Sequence, residues 1–263
     1  MNYFSTIFSR YKLIFSLAFI DFKEMFHGSY LGILWAVLRP LIFISVVWVI
    51  FSVGIKGGQV DSNTPFIIYL LTGYIPWIFF SSALNGTMNA FLGNRGLVKR
   101  PSFPLHILPL VKITSNLILH IVFLVILITV MISMHLYPSL YWLQLPYYLF
   151  MLCLLLFGFG TLLASLRVFT KDVAEFIAAI LQIGFWVTPI FWSIDRIPSK
   201  YEWLMNLNPM IYIVNGYRNT FIYHKWFWEE KAFLLSFLLY TLIFLILGLL
   251  TFKKLKPHFG DVL

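Results

Sequence analysis

Acidic side chains are scarce in this sequence: ten Asp and Glu among 263 residues, against 19 Lys and Arg. Charged residues make up 11% of the chain, less than half of the roughly 25% usual for a soluble domain. That shortage excludes an ordinary solvated surface and assigns most of the chain to lipid. The single cysteine, Cys153, sits in an apolar run, which excludes a disulfide framework and a cysteine metal cluster. Catalytic signatures are missing too. No lysine directly follows a glycine, so there is no Walker A loop, and neither HExxH nor GxSxG occurs. The six histidines are dispersed and make no metal set. The basic residues form no helix suited to nucleic acid. A cleavable leader is not expected either, because the apolar run 13–20 is short and Asp21, Lys23 and Glu24 follow it.

What the chain does have is apolar length. Hydrophobic residues are 60% of it, and the mean hydropathy is +0.88. Six runs are read as spans, at about 31–53, 65–92, 110–134, 147–166, 173–192 and 233–252. The expected fold is all-α and integral to a membrane, a single transmembrane domain over 1–263. Before the first run lies 11–27, in which Lys12, Ser16, Lys23 and His27 fall within about 60° of one another at 100° per residue. Such a stripe on an apolar cylinder predicts a helix lying in the headgroup plane, although Asp21 falls on the opposite side. Gly28 and Gly32 form a small-xxx-small pair expected to admit a neighbouring helix. Arg39 and Pro40, early in the first span, indicate a helix that meets a polar cavity or the interface rather than lipid alone.

The segment 93–104 sets the orientation. It carries Arg95, Lys99 and Arg100 and no acid, between helix-breaking Gly93–Asn94 and Pro101–Pro104. Basic loops stay cytoplasmic. Six spans put both termini on one side, and placing that side inside puts most of the 19 basic residues there. Ser81, Asn85 and Asn89 form a polar ladder at i, i+4, i+8, able either to join helices or to line a path. His120, mid-span without an acid on its own helix, predicts an interhelical hydrogen bond in preference to a proton relay. Asp172 and Glu175 are read as a cap pair for the fifth span, and Pro189 as its bend or stop. The segment 193–231 is too polar to span and too apolar to be solvated. A capping box at Ser199–Glu202 and an N-cap at Asn208 before Pro209 predict two short helices that dip into the outer leaflet and return.

The membrane interior offers almost no carboxylates, which argues against ion-coupled transport and against an intramembrane enzyme. Energy for any transport should come from another chain. Aromatics make up 19% of the residues, with nine tryptophans. They serve either as core and interfacial belt or as flat faces for sugar rings. Trp35, Tyr74, Trp77, Trp186 and Trp192 are the candidates for the second role.

Several segments now resemble one family. They are GSYLGILWAVLRPL at 28–41, TGYIPWIFF at 72–80 and LVKRPSFPLHILPL at 97–110. Asp172, TPIFW at 188–192, LNPM at 207–210, GYR at 216–218 and the closing KPHFGDVL follow in order. Together they are similar to the permease subunits of type-2 ABC exporters for lipid-linked polysaccharides, among them wall teichoic acid, O-antigen and capsule permeases. The resemblance implies a homodimer in the bacterial inner membrane, with both termini cytoplasmic, bound to two ATPase subunits that hold ATP and magnesium; this chain itself would carry no cofactor. It implies that 93–104 is a cytoplasmic coupling helix, with Arg95, Lys99, Arg100, Arg167 and Lys171 at the ATPase contact. It further implies that 11–27 is the interfacial helix and 193–231 the outer gate. The substrate would be a polymer on a polyprenyl pyrophosphate carrier. Here Glu24–His27 stands where family members often carry more basic residues, leaving Lys12, Lys23, His27 and Arg39 as candidates for the pyrophosphate. The alternatives are a drug or small-lipid exporter of the same superfamily, an integral-membrane glycosyltransferase, and a membrane scaffold.

Overall fold

In the computed structural model, which describes residues 9–28, 30–51, 59–61, 64–100, 102–194 and 197–263, the apolar runs form helices, because lipid leaves a backbone no other partner for its polar groups. Helix α1 (Tyr11–Glu24) leads to α2 (Leu34–Val49). Strands β1 (Gln59–Asp61) and β2 (Thr64–Pro65) pair antiparallel, a minute ribbon in a chain expected to be all-α. Then come α3 (Phe66–Met88), α4 (Leu108–Ser133), α5 (Leu145–Arg167), α6 (Asp172–Val187), α7 (Met210–Arg218) and α8 (Lys231–Leu255). Ser29, Pro101, Asp195, Arg196 and most of the loop between α2 and β2 lie outside the described residues, as do the side chains of the Ser199–Glu202 box.

Among the described residues, four helices are long and apolar enough to cross a bilayer: Phe66–Met88, Leu105–Ser133, Leu140–Arg167 and Lys231–Val262. The first and fifth expected spans are shorter. α2 and α6 each have 16 residues, about 24 Å at 1.5 Å per residue, against roughly 30 Å of hydrocarbon. α6 stops at Val187 because Thr188 turns extended ahead of Pro189, the stop that the proline predicted. Its cap differs from expectation. Neither Asp172 nor Glu175 caps it, and the Asp172 amide donates instead to Thr170 Oγ1 at 3.3 Å.

α3 is the axis of the bundle. Its apolar window is 72% buried, whereas that of Lys231–Val262 is only 17% buried. Tyr69, Ile75, Trp77 and Phe80 of α3 share one core with Leu127 of α4, Leu152 and Leu156 of α5, Tyr212 and Ile213 of α7, and Phe237 of α8. α5 and α8 meet through glycines. A Cβ added to Gly158 would lie 2.6 Å from the Leu245 amide nitrogen, so the backbones touch where side chains would normally separate them.

Two expected glycine roles change. Gly28 and Gly32 adopt φ of 80° and 52°, and a Cβ on Gly28 would meet nothing. They bend the chain between α1 and α2 rather than seat a neighbouring helix, because only glycine takes left-handed backbone freely. The helix after Asn208–Pro209 does form as read. Asn208 Oδ1 accepts the Met210 amide at 3.0 Å, and α7 continues as a π-turn, Asn219–Tyr223. Every residue from Met210 to Phe221 is buried, so this element lies inside the bundle rather than on it.

We expect Gly158→Leu to force α5 from α8. Overpacking typically costs about 1–3 kcal/mol, and more where backbone is the obstacle. A lower Tm in detergent, relative to a Leu substitution at exposed Gly93, is the measurement.

Candidate functional site

A cleft of about 610 Å³ opens where the end of α1 meets α2, α3 and α4. His27 follows α1; Trp35, Arg39 and Phe43 come from α2; Tyr74, Ser82 and Gly86 from α3; Asn116 and His120 from α4. The chain turns at Gly28 and Gly32 between α1 and α2, and His27 and Arg39 line the same cavity. The Arg39 guanidinium lies 5.5 Å from the Trp35 ring, and Tyr74 stacks on Phe43 at 5.2 Å. Flat rings and a cation at an aromatic face are the components that bind sugar rings and anionic headgroups.

The cleft therefore unites Trp35, Tyr74, His27 and Arg39, four of the residues singled out from sequence. It does not include Lys12 or Lys23. Their ammonium groups lie 6.0 Å from the Tyr11 ring and 4.5 Å from the Phe19 ring, both on exposed parts of α1. Trp77 is elsewhere as well. It is buried against Phe80 and Phe185, and lines a second, apolar cavity of about 410 Å³ with Gly184, Asn208 and Tyr240. Trp186 is 64% exposed on α6. The Trp192 indole N–H donates to the Trp186 carbonyl at 3.2 Å, and its own carbonyl accepts the Tyr69 hydroxyl at 2.7 Å.

At the back of the cleft His120 makes the interhelical bond read from sequence, its Nε2 lying 2.8 Å from the Tyr217 hydroxyl of α7. The polar ladder turns inward on its own helix. Asn85 Nδ2 donates to the Ser81 carbonyl at 3.0 Å, and Asn89 Nδ2 to the Asn85 carbonyl at 2.9 Å. Asn85 on α3 and Asn89 directly after it are both exposed and join no second helix through these bonds.

Two polar arrangements exceed what the sequence suggested. Arg218, at the end of α7, is 2% exposed. Its guanidinium carbon lies 3.6 Å from the centre of the Tyr69 ring, and Nη2 donates to the Ile190 carbonyl at 3.0 Å. Asp21, the residue off the polar stripe of α1, faces α4. It pairs with Lys112 and accepts the Ser115 hydroxyl at 2.6 Å. The available signal was a carboxylate on the apolar side of a helical wheel, with a lysine early in the third span.

At the end of the bundle holding 93–104, the expected coupling helix is a single α-turn, Arg95–Val98, after a 3-10 turn at Leu92–Asn94. Two glycines and two helix-breaking boundaries leave no room for more. Arg95, Lys99 and Arg100 are exposed, while Val98 sinks into a cluster with Phe91, Leu105, Val168, Phe252 and Phe259. Arg167 and Lys171 lie at this same end, where the Arg167 guanidinium donates to the Lys171 carbonyl at 2.7 Å.

Long apolar helices around a buried axis, a basic turn at one end and a short buried helix at the other define a multi-pass helical membrane protein. The chain belongs to the ABC-2 type transporter family, whose pattern matches residues 12–222. It is 27% identical over 245 residues to an O-antigen export system permease protein of Klebsiella pneumoniae, covering 92% of each chain. It is 26% identical over 215 residues to one from Myxococcus xanthus, covering 81% of each. To a polysialic acid transport protein of Escherichia coli it is 24% identical over 234 residues, covering 89% of each. These relatives are transport proteins and not enzymes, and permeases of this family work with separate ABC ATPases.

Tyr217→Phe should leave His120 Nε2 buried without a partner, at a cost of about 1–3 kcal/mol. Adding His120→Leu removes the stranded nitrogen, so thermal unfolding of the pair should recover part of that loss.

Proposed function

We propose that this chain is the permease of an ATP-driven exporter that moves a lipid-linked polysaccharide across a bacterial inner membrane, outward from the cytoplasm. The observation that carries this reading is the cleft at the end of α1, where Trp35 and Tyr74 offer flat faces beside Arg39 and His27. An anionic diphosphate beside a sugar meets a cation and an aromatic face within one cavity, and the carrier's chain remains in lipid. Arg39 and His27 hold the diphosphate, while Trp35 and Tyr74 bear on the first sugars. Lys12 and Lys23 serve at most to draw the headgroup toward the surface. O-antigen and capsule-type polymers are supported by the names of the relatives, with teichoic acid as a further candidate.

The working unit in this reading is a homodimer with two ATPase subunits. Each chain contributes six spans, α2 and α6 being completed by their flanking turns, and keeps both termini cytoplasmic. The large exposed apolar residues of α2 and α6, among them Ile42, Val46, Phe176 and Trp186, suit a second copy and a path between copies. Trp186 and Trp192 then stand near the outer end of that path, and Trp77 supports it from behind. The segment 93–104 is the ATPase contact, with Arg95, Lys99 and Arg100 presented outward and Arg167 and Lys171 beside them. The segment 193–231 is the outer gate, held by Arg218.

Trp35→Ala and Arg39→Gln should each lower surface polysaccharide about tenfold or more, with the protein still in the membrane and still bound to its ATPase. Quantitative export in cells lacking the native permease is the check; normal export by both variants would remove the cleft from the path. Separately, Lys99→Glu or Arg100→Glu should leave insertion intact and lower export per ATP hydrolysed, measured in proteoliposomes with the ATPase present.

A further inference from the structure

Between the proposed coupling segment and the cleft runs α1, whose Asp21 is bonded to α4. The buried face of α1 carries Ile14 and Ala18, which pack with Ile107 and Val111 just beyond the basic turn. Phe103, in the turn itself, packs against this cluster and also against the one that holds Val98. One side chain therefore touches both the seat of the basic turn and the underside of α1. Further along α1, the Asp21 carboxylate takes Lys112 on one oxygen and the Ser115 hydroxyl on the other. The pair is largely screened from water, with side chains 18% and 13% exposed. Two turns of apolar contact alone would let α1 slide or roll on α4. A two-point bond to a lysine and a serine three residues apart fixes both its rotation and its height. Beyond Asp21 the same chain supplies Met25, Phe26 and His27 to the cleft.

We infer that Asp21, through Lys112 and Ser115, is a positioning residue for transport: it makes α1 move as one body with the base of α4, so that displacement of the basic turn reaches the mouth of the cleft. This rests on the reading of 93–104 as the ATPase contact. Asp21 itself touches no substrate in this scheme. Its loss should separate ATP hydrolysis from movement at His27 without emptying the cleft of its lining.

The test uses the full chain with its ATPase in nanodiscs or proteoliposomes. On a Cys153→Ser background, so that no native thiol takes a label, spin labels go on Glu24→Cys, at the exposed end of α1, and on Ser102→Cys, in the basic turn. In the otherwise native protein their separation should be narrowly distributed and unchanged between nucleotide-free and ATP-bound states. With Asp21→Ala the distribution should broaden, and export per ATP should fall about fivefold or more while hydrolysis continues. The exchange Asp21→Lys with Lys112→Asp should restore both readings, because the Ser115 hydroxyl can accept from an ammonium as readily as it donates to a carboxylate. A merely structural role of Asp21 would lower the amount of folded protein and its hydrolysis in Asp21→Ala and leave the coupling ratio of the surviving protein unchanged.

The inference is overturned if Asp21→Ala exports at the native ratio, or if the native label separation itself changes with nucleotide. The spin-label reading is independent of cargo. If the distances behave as described and the complex carries no polysaccharide, the positioning role stands and the proposed cargo falls. If polysaccharide export is normal in Asp21→Ala, the reverse holds.

Discussion

The end of the bundle opposite the basic turn depends on a buried positive charge. Arginine stays protonated under any condition a membrane meets, and moving a charge out of water costs several kcal/mol even after relaxation. Arg218 has no carboxylate among its hydrogen-bond or ion-pair partners in the described residues. What offsets the cost is the Tyr69 ring, about 2 kcal/mol or more for a desolvated cation on an aromatic face, and a charge-assisted bond to the Ile190 carbonyl, about 1.5–3 kcal/mol. These sums nearly balance, so each partner is needed. The surroundings obey. Gly73 lacks a side chain where a Cβ would stand 3.0 Å from the guanidinium, and α6 has ended so that the Ile190 carbonyl faces inward. The Tyr69 hydroxyl is committed to Trp192. Segments distant in sequence, TGY, TPIFW and GYR, meet on one cation.

That convergence explains which features could be read in the sequence. Helix ends were legible where a local rule acts alone: Pro189 stopping α6, Asn208 opening α7, the apolar runs making four long helices. His120 was legible because a lone histidine in lipid must find a partner. Features decided by a distant partner were not. Asp21 spoiled the polar stripe of α1 until Lys112 supplied the reason. Gly28 and Gly32 matched a packing motif, yet backbone conformation, invisible in composition, made them turns. Asp172 and Glu175 had the right spacing for a cap, but the side chain that meets an amide at this helix start is Thr170, two residues before Asp172. Of the candidate site, His27, Trp35 and Arg39, near one another in sequence, fell into one cleft with Tyr74, whereas Trp77, Trp186 and Trp192 dispersed. Type and spacing do not specify facing direction.

The cleft and the Arg218 latch are linked through α7. His120 lines the one and bonds Tyr217, the residue before Arg218. A polar contact at the cleft and a cation at the end of α7 thus share adjacent residues of a helix buried on all sides. Such a helix cannot shift at one end without disturbing the other, because close-packed interiors transmit displacement.

Phe259 has a consequence for biogenesis. It is fully buried against Phe91 and Phe252, in the cluster that seats Val98 of the basic turn. Phe91 and Val98 leave the ribosome early, and Phe259 only after α8 has been made and inserted. The basic turn thus lacks its floor throughout most of translation. A chain stalled or cut before α8 would display the cations without the ordered surface beneath them. Completion of the last helix is in this way written into the shape of the end that carries the basic turn, and unfinished copies would make poor competitors for any partner that reads that shape.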